Sequence, residues 1–339
     1  MHDNERDAGP ITQPANETPF AGLTPEIVIA AVEAAGYVCD GRVLALNSYE
    51  NRVYQVGLEA EDPVVVKFYR PHRWSDESIL EEHGFALELA GAEIPVVAPL
   101  SRDARTLLAF AEFRYAAYPR RNGQWPELAT SDDRLWMGRF LGRLHAMGQA
   151  RRFLHRPMLS IATHGDEARE TVLESDFLPD YLIDRYAQVT EHLLEKVREA
   201  GLETQSPQWH RIHGDCHRGN ILWRPEGPHI VDLDDCMTGP AIQDLWMLLA
   251  GTRDEMRAQA SDLLDGYSQF ASFNASQQAL IEPLRTLRLI HYSAWLARRW
   301  NDPAFPRAFP WFAEPRYWEG HVSTLQGQLD VLDEQPLSI

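Results

Sequence analysis

Lysine is almost absent from this chain: of 32 lysines and arginines only Lys67 and Lys196 are lysines, so each is worth placing. Cysteine is as sparse. Cys39, Cys216 and Cys236 are too few and too irregularly spaced for a disulfide framework or a zinc site. No two of the 13 histidines fall at a ligand spacing with cysteine or acid support, which argues against a metal cluster. Basic charge is short overall, and a net charge of −18 speaks against nucleic acid as a partner, since little would drive counterion release. No apolar run is long enough to span a membrane. Residues 1–18 are polar and acidic and lack the apolar core of a signal peptide, so residues 1–20 are expected to be a disordered tail. The expectation is a cytoplasmic monomer with no membrane partner. There is no internal repeat or low-complexity block.

What the chain does have is length and apolar content. At 339 residues, 44% of them hydrophobic, it can build two lobes sharing a cleft. Thr24-Pro25-Glu26 opens a helix that stops at Gly36, with cap, proline and glycine in order. Strand-like runs surround Lys67, and Ser75–Ala90 reads as a helix. Thr106–Tyr118 supplies the last strands of that region, and Pro119–Pro126 reads as a linker. Beyond it the pattern turns helical. Leu135, Met137, Phe140, Leu141, Leu144 and Met147 recur at helical spacing, with Gly138 and Gly142 one turn apart for close helix contact. Further helices are expected near Asp176–Ala200, Ile242–Ala250, Glu255–Phe273 and Ser276–Trp300.

Two stretches carry the chemistry. His213-Gly214-Asp215-Cys216-His217-Arg218-Gly219-Asn220 places an Asp five residues before an Asn, and Ile230-Val231-Asp232-Leu233-Asp234-Asp235 closes a β-branched run on an Asp. This is the layout of a kinase catalytic loop and metal strand. One carboxylate (Asp215) accepts the proton of an attacking hydroxyl, while Asn220 and Asp232 hold Mg²⁺ on ATP phosphates. Two short strands, Ile221–Trp223 and His229–Val231, joined by a turn at Pro225–Pro228, would bring Asn220 and Asp232 to one end. A dinuclear metallophosphatase reading of Gly214–Asn220 fails, because the upstream Asp-x-His and downstream Gly-Asn-His blocks are missing.

Lys67 sits in Val64-Val65-Val66-Lys67-Phe68-Tyr69, like the strand that presents a phosphate-gripping lysine. Its acidic partner is expected on the next helix. Glu82 is favoured over Glu81, because Phe85 and Leu89 follow it at three and seven residues and place it beside a core-facing stripe. Lys196 reads as an ordinary solvated helix residue. No Gly-x-Gly-x-x-Gly precedes Lys67. In its place Leu46–Arg52 could cover phosphates through Ser and Asn donors, or be a plain hairpin turn.

From about Leu23 to Leu332 the chain resembles the stress response kinase A family, bacterial Ser/Thr protein kinases of the aminoglycoside phosphotransferase and choline kinase superfamily. The resemblance runs through Val65-Val66-Lys67-Phe68-Tyr69-Arg70-Pro71 among other blocks, and its narrow ones are Asn47-Ser48-Tyr49-Glu50-Asn51-Arg52 and Asp244-Leu245-Trp246-Met247-Leu248-Leu249. The resemblance implies an α+β, bilobal protein-kinase-like fold, with a small β-rich N-lobe (21–118) and a larger, mainly helical C-lobe (119–332). It also implies Asp215 as proton acceptor, Asn220 and Asp232 as Mg²⁺ ligands, Ser48 as an ATP-site residue beside the Lys67 and Glu82 read above, and protein Ser/Thr as acceptor. The same motifs would serve a small-molecule hydroxyl kinase, and the acceptor is not encoded in them.

Departures from ordinary protein kinases are part of the reading. The position two after Asp215 is His217 rather than Lys, and Leu233-Asp234 replaces Phe-Gly after Asp232. No Ala-Pro-Glu closes an activation segment. Asp234 and Asp235 either assist a second metal or cap the turn; Cys216 and Cys236 are either buried structural thiols or redox sensors. Asp244 is expected to hold the catalytic-loop backbone, and the aromatic stretch Pro303–Trp318 to pack the helical lobe or wall the acceptor site.

Overall fold

The computed structural model describes residues 18–337. The expected tail, residues 1–20, lies outside them except for its last three residues, of which Phe20 is buried in a hydrophobic core. The chain divides into two compact units: residues up to His83 with Ala98–Arg120, and Gly84–Val97 with the residues from Arg121 on.

The first unit is a helix on a sheet. Helix α1 (Pro25–Ala34) is capped by Thr24, whose hydroxyl accepts the Ile27 amide, and is followed by Gly36 at φ +87°. Strands β1 (Cys39–Ala45), β2 (Arg52–Leu58) and β3 (Val64–Phe68) follow, then helix α2 (Asp76–Gly91), then β4 (Leu108–Phe110) and β5 (Phe113–Pro119). The strands form one antiparallel sheet in the order β1-β2-β3-β5-β4. Side chains alternate across β3. Val64, Val66 and Phe68 join Val28 and Val32 of α1 in the core, so Lys67 points to the opposite face. The division between the units runs through α2. That helix buries Ile79, Phe85 and Leu89 but leaves Leu80 and Leu87 exposed, so its apolar content overstates its buried face.

The second unit is mainly helical. Helix α3 (Ser131–Gln149) starts on a Thr130/Asp133 capping box. Helices α4 (Glu167–Leu173) and α5 (Ile183–Glu199) lead to short strands β6 (His210–Ile212), β7 (Ile221–Arg224), β8 (Gly227–Ile230) and β9 (Met237–Gly239). Then come α6 (Ile242–Trp246), α7 (Arg253–Tyr267), α8 (Ile281–Arg299), α9 (Ala304–Ala308) and α10 (Pro315–Asp333). Glycines bring α3 and α7 into backbone contact: a Cβ on Gly138 would lie 2.0 Å from the Leu263 carbonyl oxygen, and one on Gly142 2.5 Å from that of Tyr267. Phe305, Phe312 and Trp318 are fully buried, so the aromatic stretch packs this unit. The β7–β8 hairpin is tighter than expected. Its turn is Pro225-Glu226 and Pro228 lies within β8 opposite Trp223, which a two-stranded ribbon tolerates because it has edges that need no N–H. No helix among the described residues is long and apolar enough to cross a membrane.

Candidate active site

In the sheet unit, register sets the lysine. Lys67 pairs with Val53 on one side and Ala116 on the other, and its ammonium reaches Glu82 Oε1 at 3.2 Å. Both residues are buried, at 7% and 3% exposure, so each charge depends on the other. The Lys67 ammonium also lies 5.1 Å from the centre of the Tyr69 ring. Tyr69 is fixed in turn, with its hydroxyl 2.6 Å from His83 Nε2 and 2.9 Å from the Tyr118 hydroxyl. Burial first, and then the neighbouring Glu82 carboxylate, push the Tyr69 phenol well above its ordinary pKa, so it stays neutral.

The loop between β1 and β2 contains Ser48, and its shape is held from within the unit. Ser48 Oγ donates to the Asn51 carbonyl at 3.1 Å. Arg70, 1% exposed, gives its amide to Asn51 Oδ1 and its guanidinium to the Glu50 and Tyr49 carbonyls, while Arg52 reaches the Tyr49 and Asn51 carbonyls. These bonds account for the loop's sequence. A turn without glycine is shaped by side-chain donors on its carbonyls, which leaves Ser48 in a fixed place.

In the helical unit the His213–Asn220 loop is built on a buried carboxylate. Asp244 at the start of α6 accepts the His213 amide on Oδ2 at 2.8 Å and the Gly214 amide on Oδ1 at 2.9 Å. His145 of α3 completes it, with Nε2 2.9 Å from Asp244 Oδ2 and Nδ1 3.1 Å from the Tyr267 hydroxyl. Burial opposes the Asp244 charge, but the His145 hydrogen bond and the charges and amide around it prevail, and its carboxyl lies below the usual range. Gly214 must be glycine here: it has φ +86°, and a Cβ would fall 2.2 Å from the Asp235 carbonyl oxygen.

Asp215 follows, partly exposed. Its Oδ1 accepts Arg288 Nη1 at 2.7 Å, and its Oδ2 lies 3.4 Å from His217 Nε2. His217 Nδ1 accepts the Gly219 amide at 2.9 Å, which turns its Nε2–H toward Asp215. Burial would raise the Asp215 pKa, but the His217 hydrogen bond and the Arg288 charge outweigh it and hold the carboxyl well below the carboxylate range. Asn220 donates Nδ2 to the Asp215 carbonyl at 3.0 Å, so its amide oxygen is left as an acceptor. The β7–β8 ladder, extended by the Val231 amide bonding the Asn220 carbonyl at 3.0 Å, carries Asp232 to the Asn220 end of the hairpin. Asp232 is exposed, at φ +59° in the left-handed region that Asp tolerates better than most residues.

The remaining sequence candidates also have places. Asp234 is buried in the turn after Asp232, and that turn is braced by Arg156, which donates to the Asp234 and Cys236 carbonyls. Cys216 and Cys236 are fully buried; for Cys216, burial and then the charges of Asp244 and Asp215 push the thiol well up, against a sensing role. Arg288, Arg156 and His145 were not singled out in the sequence. Arg288 and Arg156 act across 73 to 80 residues of chain, and no local motif marks them. The spacing of α3 did mark the stripe on which His145 lies.

The sheet unit presents a lysine–glutamate pair, and in the helical unit a braced loop presents Asp, Asn and Asp, residue types that phosphotransferases use. Residues 42–280 match the model of the phosphotransferase enzyme family, and the chain belongs to that family. Within it, the chain is 44% identical to the serine/threonine protein kinase RdoA of Salmonella typhimurium, over 96% of this chain and 98% of that one. It is 42% identical to stress response kinase A of Escherichia coli, over 94% and 97% of the two chains. Among solved structures it is similar to the amicoumacin kinase hAmiN, with a TM-score of 0.69 and 17% identity over 92% of this chain and 94% of that one. A choline kinase from Cryptosporidium parvum gives a TM-score of 0.60 and 13% identity over 91% and 96%. Likenesses this distant in sequence establish the aminoglycoside phosphotransferase and choline kinase fold and nothing of the acceptor.

Proposed function

We propose that this chain is an ATP- and Mg²⁺-dependent kinase of the cytoplasm that phosphorylates Ser or Thr of proteins, in the stress response that its relatives' names record. The observation that carries the acceptor class is the 44% identity, over nearly the whole of both chains, to a serine/threonine protein kinase.

The residues fit a magnesium ion. Asn220 is oriented with its amide oxygen free of its own nitrogen's bond to Asp215, and Asp232 offers an exposed carboxylate. That suits Mg²⁺, which takes one or two protein ligands and completes its shell with phosphate oxygens and water. Bound there, it would neutralise charge on the transferring phosphoryl group.

The other roles are part of the same reading. Lys67, held by Glu82, grips the α- and β-phosphates, and the Ser48 loop covers the nucleotide. The acceptor oxygen bonds to the γ-phosphorus as the bond to the β-γ bridging oxygen breaks, and ADP leaves. The hydroxyl proton passes to Asp215, which His217 and Arg288 keep ionised at the cost of some basicity. Purified protein with labelled ATP and Mg²⁺, offered generic proteins and small hydroxyl compounds in parallel, tests the reading. Label on Ser or Thr of protein supports it; label on the small compounds alone assigns the chain to small-molecule chemistry.

A further inference from the structure

Asp215 does not meet its acceptor alone. Its Oδ1 is bonded at 2.7 Å by Arg288, a side chain of α8 that is 43% exposed. Beyond that bond Arg288 has only a 4.0 Å contact with Met247 Sδ, and Asp215 is its one ionic partner among the described residues. It is therefore neither a buried strut nor a brace between backbones. His217 stands on the other carboxylate oxygen, with Arg218 next in the chain and making no ion pair among the described residues. One turn further along α8 lies Tyr292, 39% exposed. A hydroxyl that approaches Asp215 thus meets the Arg288 guanidinium on one carboxylate oxygen and His217 on the other, on a chain whose net charge is −18.

That arrangement favours one kind of acceptor. A guanidinium has five N–H donors in a fixed fork, and Arg288 spends one on Asp215. A carboxylate or phosphate carried beside the acceptor hydroxyl can take the remaining donors in bidentate fashion, whereas a lysine or arginine there is repelled. We propose that Arg288 determines acceptor specificity, selecting a Ser or Thr flanked by an anionic side chain. The proposal rests on the protein-kinase reading and names its substrate class. The long-range field opposes such an acceptor, so the preference must come from contact and must appear mainly in KM.

The test uses Ser-centred peptides of equal length, with Asp, Ala or Lys placed in turn at each position near the serine. Initial rates are measured for the wild type and for Arg288→Lys, Arg288→Gln and Arg288→Glu, with melting curves to establish folding. The wild type should favour the best Asp peptide over its Lys counterpart by about tenfold in kcat/KM, the scale of one charge-assisted contact. Arg288→Lys should keep the order, Arg288→Gln should flatten it and Arg288→Glu should invert it. An order that is the same in the Gln and Glu variants as in the wild type overturns the proposal. So does an equal loss of kcat on every peptide with the order kept, since Arg288 would then only prop Asp215. If the wild type ignores all peptides but phosphorylates small hydroxyl compounds, the protein-kinase reading falls. The same variants are then compared on glycerate and ethanolamine, where an anion preference lost in Arg288→Gln supports the role of Arg288 and its absence refutes it.

Discussion

Lys67 and Glu82 face each other at 3.2 Å, buried in the sheet unit, whereas Asp215 and Asp232 stand on loops of the helical unit that reach solvent. The first pair is held by strand register and helix packing, and each partner supplies the other's counter-charge. The second group is held through backbone: Asp244 binds two amides of the catalytic loop, Arg156 binds two carbonyls of the following turn, and Gly214 lets the chains meet. A buried pair can be lost by changing one side chain. The loop site depends on side chains spent on backbone groups, so its mutants should separate chemistry from scaffolding.

The largest effect is expected at the metal. Asp232→Ala should abolish phosphoryl transfer, since the ion loses its carboxylate, while Asn220→Ala should do so less completely. Turnover near the wild-type rate with Mg²⁺ in Asp232→Ala would put the metal elsewhere. Asp215→Asn keeps shape and removes the proton acceptor. It should leave ATP affinity within a few-fold and lower kcat by about 10²–10⁴. Nucleotide titration beside single-turnover rates decides this, and lost ATP binding in a folded Asp215→Asn protein would deny Asp215 the role of base. Lys67→Met should cost about 10²–10³ in kcat/KM, as for one preorganised electrostatic donor. It also leaves Glu82 buried without its cation, so its melting temperature should fall too.

Asp244→Asn attacks the scaffold. The carboxylate takes three donors, His145 Nε2 and two amides, and an asparagine would turn an NH₂ group toward one of them. Stability should drop by about 1–3 kcal/mol, the cost of leaving a buried donor unsatisfied, with activity falling alongside it. The pH dependence has a definite sign. The folded pKa of Asp244 is depressed, so its contribution is full above the unfolded value of about 4 and is lost as pH falls through the folded one. Acid melts of wild type and Asp244→Asn should therefore converge. If they stay parallel, the Asp244 charge is not what holds the loop.

What could be read in the sequence divides along the same line. Lys67 and its partner were legible because the pattern is local: a β-branched strand, then a helix in which Phe85 and Leu89, both fully buried, mark the face of Glu82. The β7–β8 hairpin was legible from its turn residues, though Pro228 was assigned to the turn and lies in the strand. Strands β6 and β9, three residues each, pair with each other across the catalytic loop and carry no periodicity of their own. Arg288 and Arg156 were invisible because their partners are far along the chain and arginine is common here. Asp244 was legible as a prop only through its place after Gly239-Pro240.

The smallest expected effect belongs to the other lysine, and it calibrates the rest. Lys196, in the last turn of α5 and 20% exposed, pairs with Asp333 of α10, a carboxylate 65% exposed to water. Such pairs give about 0–1 kcal/mol, because solvent screens the attraction and ordering the long lysine side chain offsets much of it. Lys196→Met should thus leave kcat/KM unchanged and shift the melting temperature by no more than a few degrees. The substitution is chemically identical to Lys67→Met, so the ratio of the two effects measures position alone. Equal, mild losses at both lysines would mean that the β3 register places Lys67 at no phosphate. A large loss at Lys67 with none at Lys196 would tie the chemistry to the strand.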